Sequence, residues 1–161
     1  MEIPATINNI KITTIDRKFY CESEYVVIGN NIERIEKGAF NHGWSIPFIF
    51  CEKNENSNYE LFPPRNTKII YNYKKLKEKD NFYFSINNNE ATLEAYCGEE
   101  KDIYIPKEID RIRITKLSPL CLRIPVEARI YIPRSIKFNK VKDFKKIFGF
   151  SKRGDIEIVR Y

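Results

Sequence analysis

Histidine is almost absent from this chain, and so are the groupings that usually carry chemistry. His42, beside Gly43 and Trp44, is the single histidine, so any Ser-His-Asp or Cys-His device would have to be built on it. A turn or capping role is the simpler reading. The four cysteines, Cys21, Cys51, Cys97 and Cys121, stand far apart and form no CxxC pair. Zinc cages are assembled from close pairs, so a Cys/His site is not expected, and buried free thiols are the default. One disulfide stays open for an exported protein. The six glycines are scattered and make neither GxGxxG nor GxxxxGK[ST], which removes the usual phosphate-binding loops. No spaced ladder of aspartates suggests a calcium loop. The acidic pairs Glu99-Glu100 and Glu22/Glu24 read as solvated loop charges rather than as a general acid and base. No cofactor and no catalytic residue is expected, and the chain reads as a non-enzyme.

Long apolar runs are missing too. Nothing approaches the roughly 20 residues needed to span a bilayer. Glu2, Pro4 and Asn8-Asn9 interrupt any apolar stretch of a leader. The chain is expected to be soluble as given, with its compartment left open.

What is present is enough for a core: 161 residues, 42% hydrophobic and 14% aromatic. The net charge of +6 is uneven. Residues 1–50 carry 5 basic and 6 acidic side chains, residues 51–100 carry 7 and 9, and residues 101–161 carry 16 and 7. A basic half attracts polyanions or simply solvates a surface, and without a nucleic-acid module solvation is the preferred reading.

The strongest organisational signal is an internal copy. Ile3-Pro4-Ala5-Thr6-Ile7-Asn8-Asn9-Ile10-Lys11-Ile12-Thr13-Thr14-Ile15 recurs 102 residues later as Ile105-Pro106-Lys107-Glu108-Ile109-Asp110-Arg111-Ile112-Arg113-Ile114-Thr115-Lys116-Leu117, with 6 of 13 positions identical. A repeated unit implies stacking of like on like. Each copy pairs an extended run ending in Ile-Pro with a turn, more isoleucines and a phenylalanine-containing segment. Proline after a strand ends pairing because it offers no amide donor. Strand-to-strand spacings are 25 residues from Ile3 to Ile28 and 27 from Ile105 to Ile132. Period-2 alternation directs Val26, Ile28, Ile103, Ile105, Ile130, Ile132, Ile156 and Ile158 inward. Val27, Tyr104, Arg129, Tyr131 and Glu157 then point outward. Phe82–Ile86 and Ala91–Tyr96, on either side of Asn87-Asn88-Asn89-Glu90, predict a hairpin. Val141, Phe144, Ile147 and Phe148 predict a short helix over Lys140–Phe148, ending at Gly149. Three segments result: residues 1–73, a charged linker over 74–81, and residues 82–161.

Two stretches resemble BspA-type leucine-rich repeats. One is Asn89-Glu90-Ala91-Thr92-Leu93 through Ile103-Tyr104-Ile105-Pro106 to Ile112-Arg113-Ile114-Thr115. The other is Val27-Ile28-Gly29-Asn30-Asn31-Ile32-Glu33-Arg34-Ile35-Glu36-Lys37-Gly38-Ala39-Phe40, with its Ala-Phe signature and Gly29 where the family usually has proline. The resemblance covers 1–44 and 82–117 and is weak over 118–150. It implies a small leucine-rich-repeat-like solenoid of α+β class, with short parallel strands, a hairpin and short helices. It also implies contact with another protein and a lean towards surface or secreted settings, and it carries over no catalytic residue.

Two candidate surfaces follow. Tyr25, Val27, Tyr104, Arg129 and Tyr131 form an outward aromatic-basic set on an exposed strand face, at about 4.8 Å per strand. Tyrosine and arginine suit interface hot spots because they bury a large area and keep a polar tip. The alternative is polyanion or nucleic-acid binding through Lys137, Lys140, Lys142, Lys145, Lys146 and Lys152, with Phe138, Phe144, Phe148 and Phe150 interleaved. Helical spacing of Phe144 and Phe148 argues instead for a cap that turns its lysines to water.

Overall fold

The computed structural model describes residues 1–21, 23–40, 46–53, 60–61, 67–122, 127–138, 143–148 and 156–161. The chain divides into two compact units, Met1–Lys75 and Leu76–Tyr161. Both are almost wholly β, and in each the strands stack in the manner of β-solenoid turns. Unit 1 contains β1 (Glu2–Ile3), β2 (Thr6–Ile7), β3 (Ile10–Lys11), β4 (Thr14–Ile15), β5 (Tyr25–Ile28), β6 (Arg34–Ile35), β7 (Phe48–Cys51), β8 (Glu60–Leu61) and β9 (Lys68–Tyr71). Unit 2 contains β10 (Lys77–Lys79), β11 (Phe82–Asn87), β12 (Glu90–Tyr96), β13 (Asp102–Tyr104), β14 (Glu108–Ile109), β15 (Ile112–Leu117), β16 (Arg129–Ile132), α1 (Phe144–Phe148) and β17 (Glu157–Arg160).

In unit 1 the parallel sheet β1-β5-β7-β9 forms one wall and β4-β6-β8 another. Between them lies a core that includes Ile3, Ile15, Val26, Ile28, Ile32, Ile35 and Ile49. Each turn adds one rung, so equivalent isoleucines stack: Ile3 faces Ile28, and Ile15 faces Ile35. Phe40, of the Ala-Phe signature, is buried at a positive φ of 64° and meets Phe19 edge-on at 5.3 Å.

Unit 2 repeats the arrangement in the parallel sheet β13-β16-β17. Ile103, Ile105, Ile130, Ile132 and Ile156 are buried as the alternation requires, and Ile158 packs against them partly buried. A second, mixed sheet, β10-β11-β12-β15-β14, covers the first turn. The expected hairpin is β11–β12, turning at Asn88 and Asn89 with φ of 49° and 61°. Two successive positive φ values define the tight hairpin turn whose twist matches that of paired strands. Asp80-Asn81, Asn8-Asn9 and Asp110-Arg111 make the same turn.

Two expectations change. The α+β class and its short helices give way to an almost all-β chain: among the described residues only α1 and a 3-10 turn, Tyr73–Lys75, are helical. Helix α1 buries Phe144, Ile147 and Phe148 and exposes Lys146. Lys140, Lys142 and Gly149 lie outside the described residues. The stretch 74–81, expected as a charged linker, begins in that 3-10 turn and continues as β10, which pairs antiparallel with β11. Its Lys and Glu side chains suit an exposed sheet edge, where charge discourages further pairing.

Candidate interaction face

The outward side of β13-β16-β17 is built by register. Parallel strands with identical residues opposite one another set like beside like. Tyr104 sits opposite Tyr131, and Tyr131 opposite Val159. The two phenol rings stack with centroids 4.0 Å apart and planes 6° from parallel. Tyr104 is 58% exposed, and Tyr131 is half-buried beneath it and beside Val159.

Two residues back along each strand, on the same face, Asp102, Arg129 and Glu157 form a second column. Arg129 Nη1 lies 3.3 Å from Asp102 Oδ1, and Arg129 Nε lies 2.9 Å from Glu157 Oε2. The guanidinium is held still more firmly protonated, first by its hydrogen bond to Tyr131 and then by Glu157. The Tyr104 hydroxyl is pushed above the ordinary phenol range, first by its hydrogen bond with Tyr131. All these charges are exposed, so their ion pairs add little stability. Their consequence is geometric: Arg129 stands between two carboxylates, one on each flanking strand. Asp102 escaped the sequence reading, although alternation from Tyr104 placed it on the same face.

Tyr25 and Val27 do not join this surface. They lie in unit 1, half-buried on a face they share with Phe48, Phe50 and Ile70, all three buried. Tyr25 meets Phe50 edge-on at 5.5 Å, and Phe50 meets Tyr73 at 5.9 Å. The expected exposed strand face is therefore closed in unit 1 and open in unit 2. The reason is residue type: Phe48 and Phe50 occupy the rung where unit 2 has Glu157 and Val159.

Of the expected polyanion set, Lys137 and Lys146 are exposed and line one groove of ≈ 350 Å³ with Lys116, Ser135, Glu90 and Asp143. Lys116 Nζ is 3.1 Å from Glu90 Oε2, and this partner holds the Glu90 carboxyl below its usual value. Lys140, Lys142 and Lys152 lie outside the described residues, as does His42; of Lys145 the backbone alone is described. Cys51 and Cys121 are buried, and Cys21 and Cys97 are half-buried. Burial pushes the Cys21 thiol up, away from reactivity. Among the described residues no group of three His, Cys, Asp or Glu side chains converges, and no helix is long and apolar enough to cross a membrane.

No protein-family model matches the chain, and no curated protein or solved structure matches it at a significant level.

Proposed function

We propose that the chain is a non-catalytic protein-interaction module and that the outward face of β13-β16-β17 is its recognition surface. The observation that carries this reading is the parallel Tyr104–Tyr131 stack on a rigid main-chain ladder. Rings already ordered in this way lose little freedom when a partner covers them, so most of the area they bury goes into affinity. The neighbouring Asp102–Arg129–Glu157 column supplies a polar rim of both signs, which fits a protein better than a uniformly charged polymer. The resemblance of Val27–Phe40 and Ile103–Thr115 to BspA-type repeats supports the same function and a cell-surface or adhesion setting.

The test is a selection of binding peptides from a random library on the intact chain, followed by titration of the selected peptides against the Tyr104→Ala/Tyr131→Ala double variant. Binding should weaken roughly tenfold or more, with little change in melting temperature. Peptides that bind both proteins equally would remove this face from consideration. A second reading, polyanion binding, is favoured by the shared groove of Lys116, Lys137 and Lys146. It requires heparin or RNA to bind at low salt and to lose affinity steeply as salt rises.

A further inference from the structure

The two copies of the duplicated run have the same backbone. Hairpin β2–β3 turns at Asn8 and Asn9 with φ of 49° and 63°, and β14–β15 turns at Asp110 and Arg111 with 49° and 64°. The Ile12 amide donates to the Ala5 carbonyl at 3.0 Å, and in the second copy the Ile114 amide donates to the Lys107 carbonyl at 2.9 Å. A side chain from the next turn serves the same acceptor in each: Asn31 Nδ2 donates to the Ile12 carbonyl at 2.6 Å, and Ser135 Oγ to the Ile114 carbonyl at 3.2 Å.

Their surroundings differ. In unit 2 a hairpin is seated on the copy. Strand β12 runs parallel to β15 with Ala91 opposite Ile114 and Leu93 opposite Leu117. The Ser118 amide closes the ladder on the Leu93 carbonyl at 3.0 Å. Phe84, Ala91 and Leu93 join Ile109 and Ile114 in one core, and Ile109 is 2% exposed. In unit 1, β4 is an edge strand with β6 on one side and no strand on the other among the described residues. Ile7, equivalent to Ile109, is 57% exposed, and Ile10, equivalent to Ile112, is 73% exposed. Behind them lies an apolar groove of ≈ 470 Å³, lined by Ile3, Ile7, Ile12, Ile15 and Phe19.

An apolar groove beside an open strand edge offers burial and main-chain pairing together, which is the chemistry of strand addition. We infer that this groove is a docking site for a β-hairpin presented by a partner protein, seated parallel to residues 10–15 as β12 is seated on β15. The fit specifies the partner's chemistry. Its inner strand carries small and branched apolar residues two apart, as Ala91 and Leu93 do, and its outer strand carries an aromatic at the place of Phe84. Glu2, Asp16 and Lys18 on the rim hold charges of both signs, so the apolar floor selects and a polyanion is not favoured. This surface belongs to unit 1 and the Tyr104–Tyr131 face to unit 2, and the two proposals fail independently.

The probe is a synthetic peptide with the sequence of residues 76–98, Cys97 replaced by Ser and the ends joined, titrated into the full chain. Saturable shifts are expected in the Ile7, Ile10 and Ile12 methyl signals, with slowed exchange of amides 12–16. Ile10→Asp, at an exposed position, should weaken binding roughly tenfold or more. A peptide whose apolar positions are moved by one residue should not bind, because the slip turns them to the other face. Absent shifts, shifts elsewhere, or indifference to Ile10→Asp overturn the proposal. Should the peptide fail to fold alone, the same hairpin fused ahead of Met1 through a flexible linker gives a second reading. The fusion should melt several degrees above its Ile10→Asp counterpart, and equal melting overturns the proposal. Self-association of the chain that Ile10→Asp abolishes would assign the groove to a second copy and overturn it as well.

Discussion

The isoleucines of the duplicated hairpin are core in unit 2 and surface in unit 1. Ile109 is buried and Ile7 exposed, although both occupy the residue before the same turn. The outward sheet faces contrast in the opposite sense: unit 1 closes its face over Phe48, Phe50 and Ile70, while unit 2 exposes Tyr104, Arg129 and Glu157. Burial is therefore not a property of the motif. It depends on what the rest of the chain stacks against each copy, and in a repeat fold only neighbouring turns can do so.

The sharpest way to break this comparison is to truncate the equivalent isoleucines. Ile109→Ala removes core atoms and should cost about 2–5 kcal/mol, whereas Ile7→Ala should stay within about 0.5 kcal/mol. Urea denaturation of both variants decides it, and equal losses would mean the first copy is covered in solution. A smaller effect tests how the copies compensate. Gly29 stands where unit 2 has Pro133, and Asn31 where it has Ser135. A Cβ on Gly29 would come within 2.5 Å of Asn31 Oδ1, and Asn31 is held by its bond to Ile12. Gly29→Ala should cost roughly 1–3 kcal/mol, and adding Asn31→Ser should restore most of it, as measured by thermal melting. The smallest effect concerns the turns. Arg111 holds a φ of 64°, which its counterpart Asn9 adopts more readily. Arg111→Asn should stabilise unit 2 by about 0.5–1 kcal/mol, seen as a raised denaturation midpoint.

Much of this was legible in advance, for reasons the particular residues make clear. Alternation placed Ile103, Ile105, Ile130 and Ile132 inside because a strand has only two faces. The paired Asn88-Asn89 announced its hairpin because few residue types accept two successive positive φ values. The same alternation put Tyr104 and Tyr131 on the outward side of their strands. Other features were not legible. Lys77–Lys79 reads as a linker because nothing local shows that β11 offers it an edge. Tyr25 and Val27 hold the strand positions of Arg129 and Tyr131, and only the next rung, Phe48 and Phe50, shows that their face is closed.

The sequence by itself determined the local grammar: where strands end at proline, where turns fall, and which side of each strand is apolar. These are set by backbone sterics and by period, within a few residues of one another. Only the tertiary structure decided which apolar side is covered, which tyrosines stack, and that Arg129 lies between two carboxylates. Those outcomes join residues 20 or more positions apart, and their energies exist only once the turns are in register.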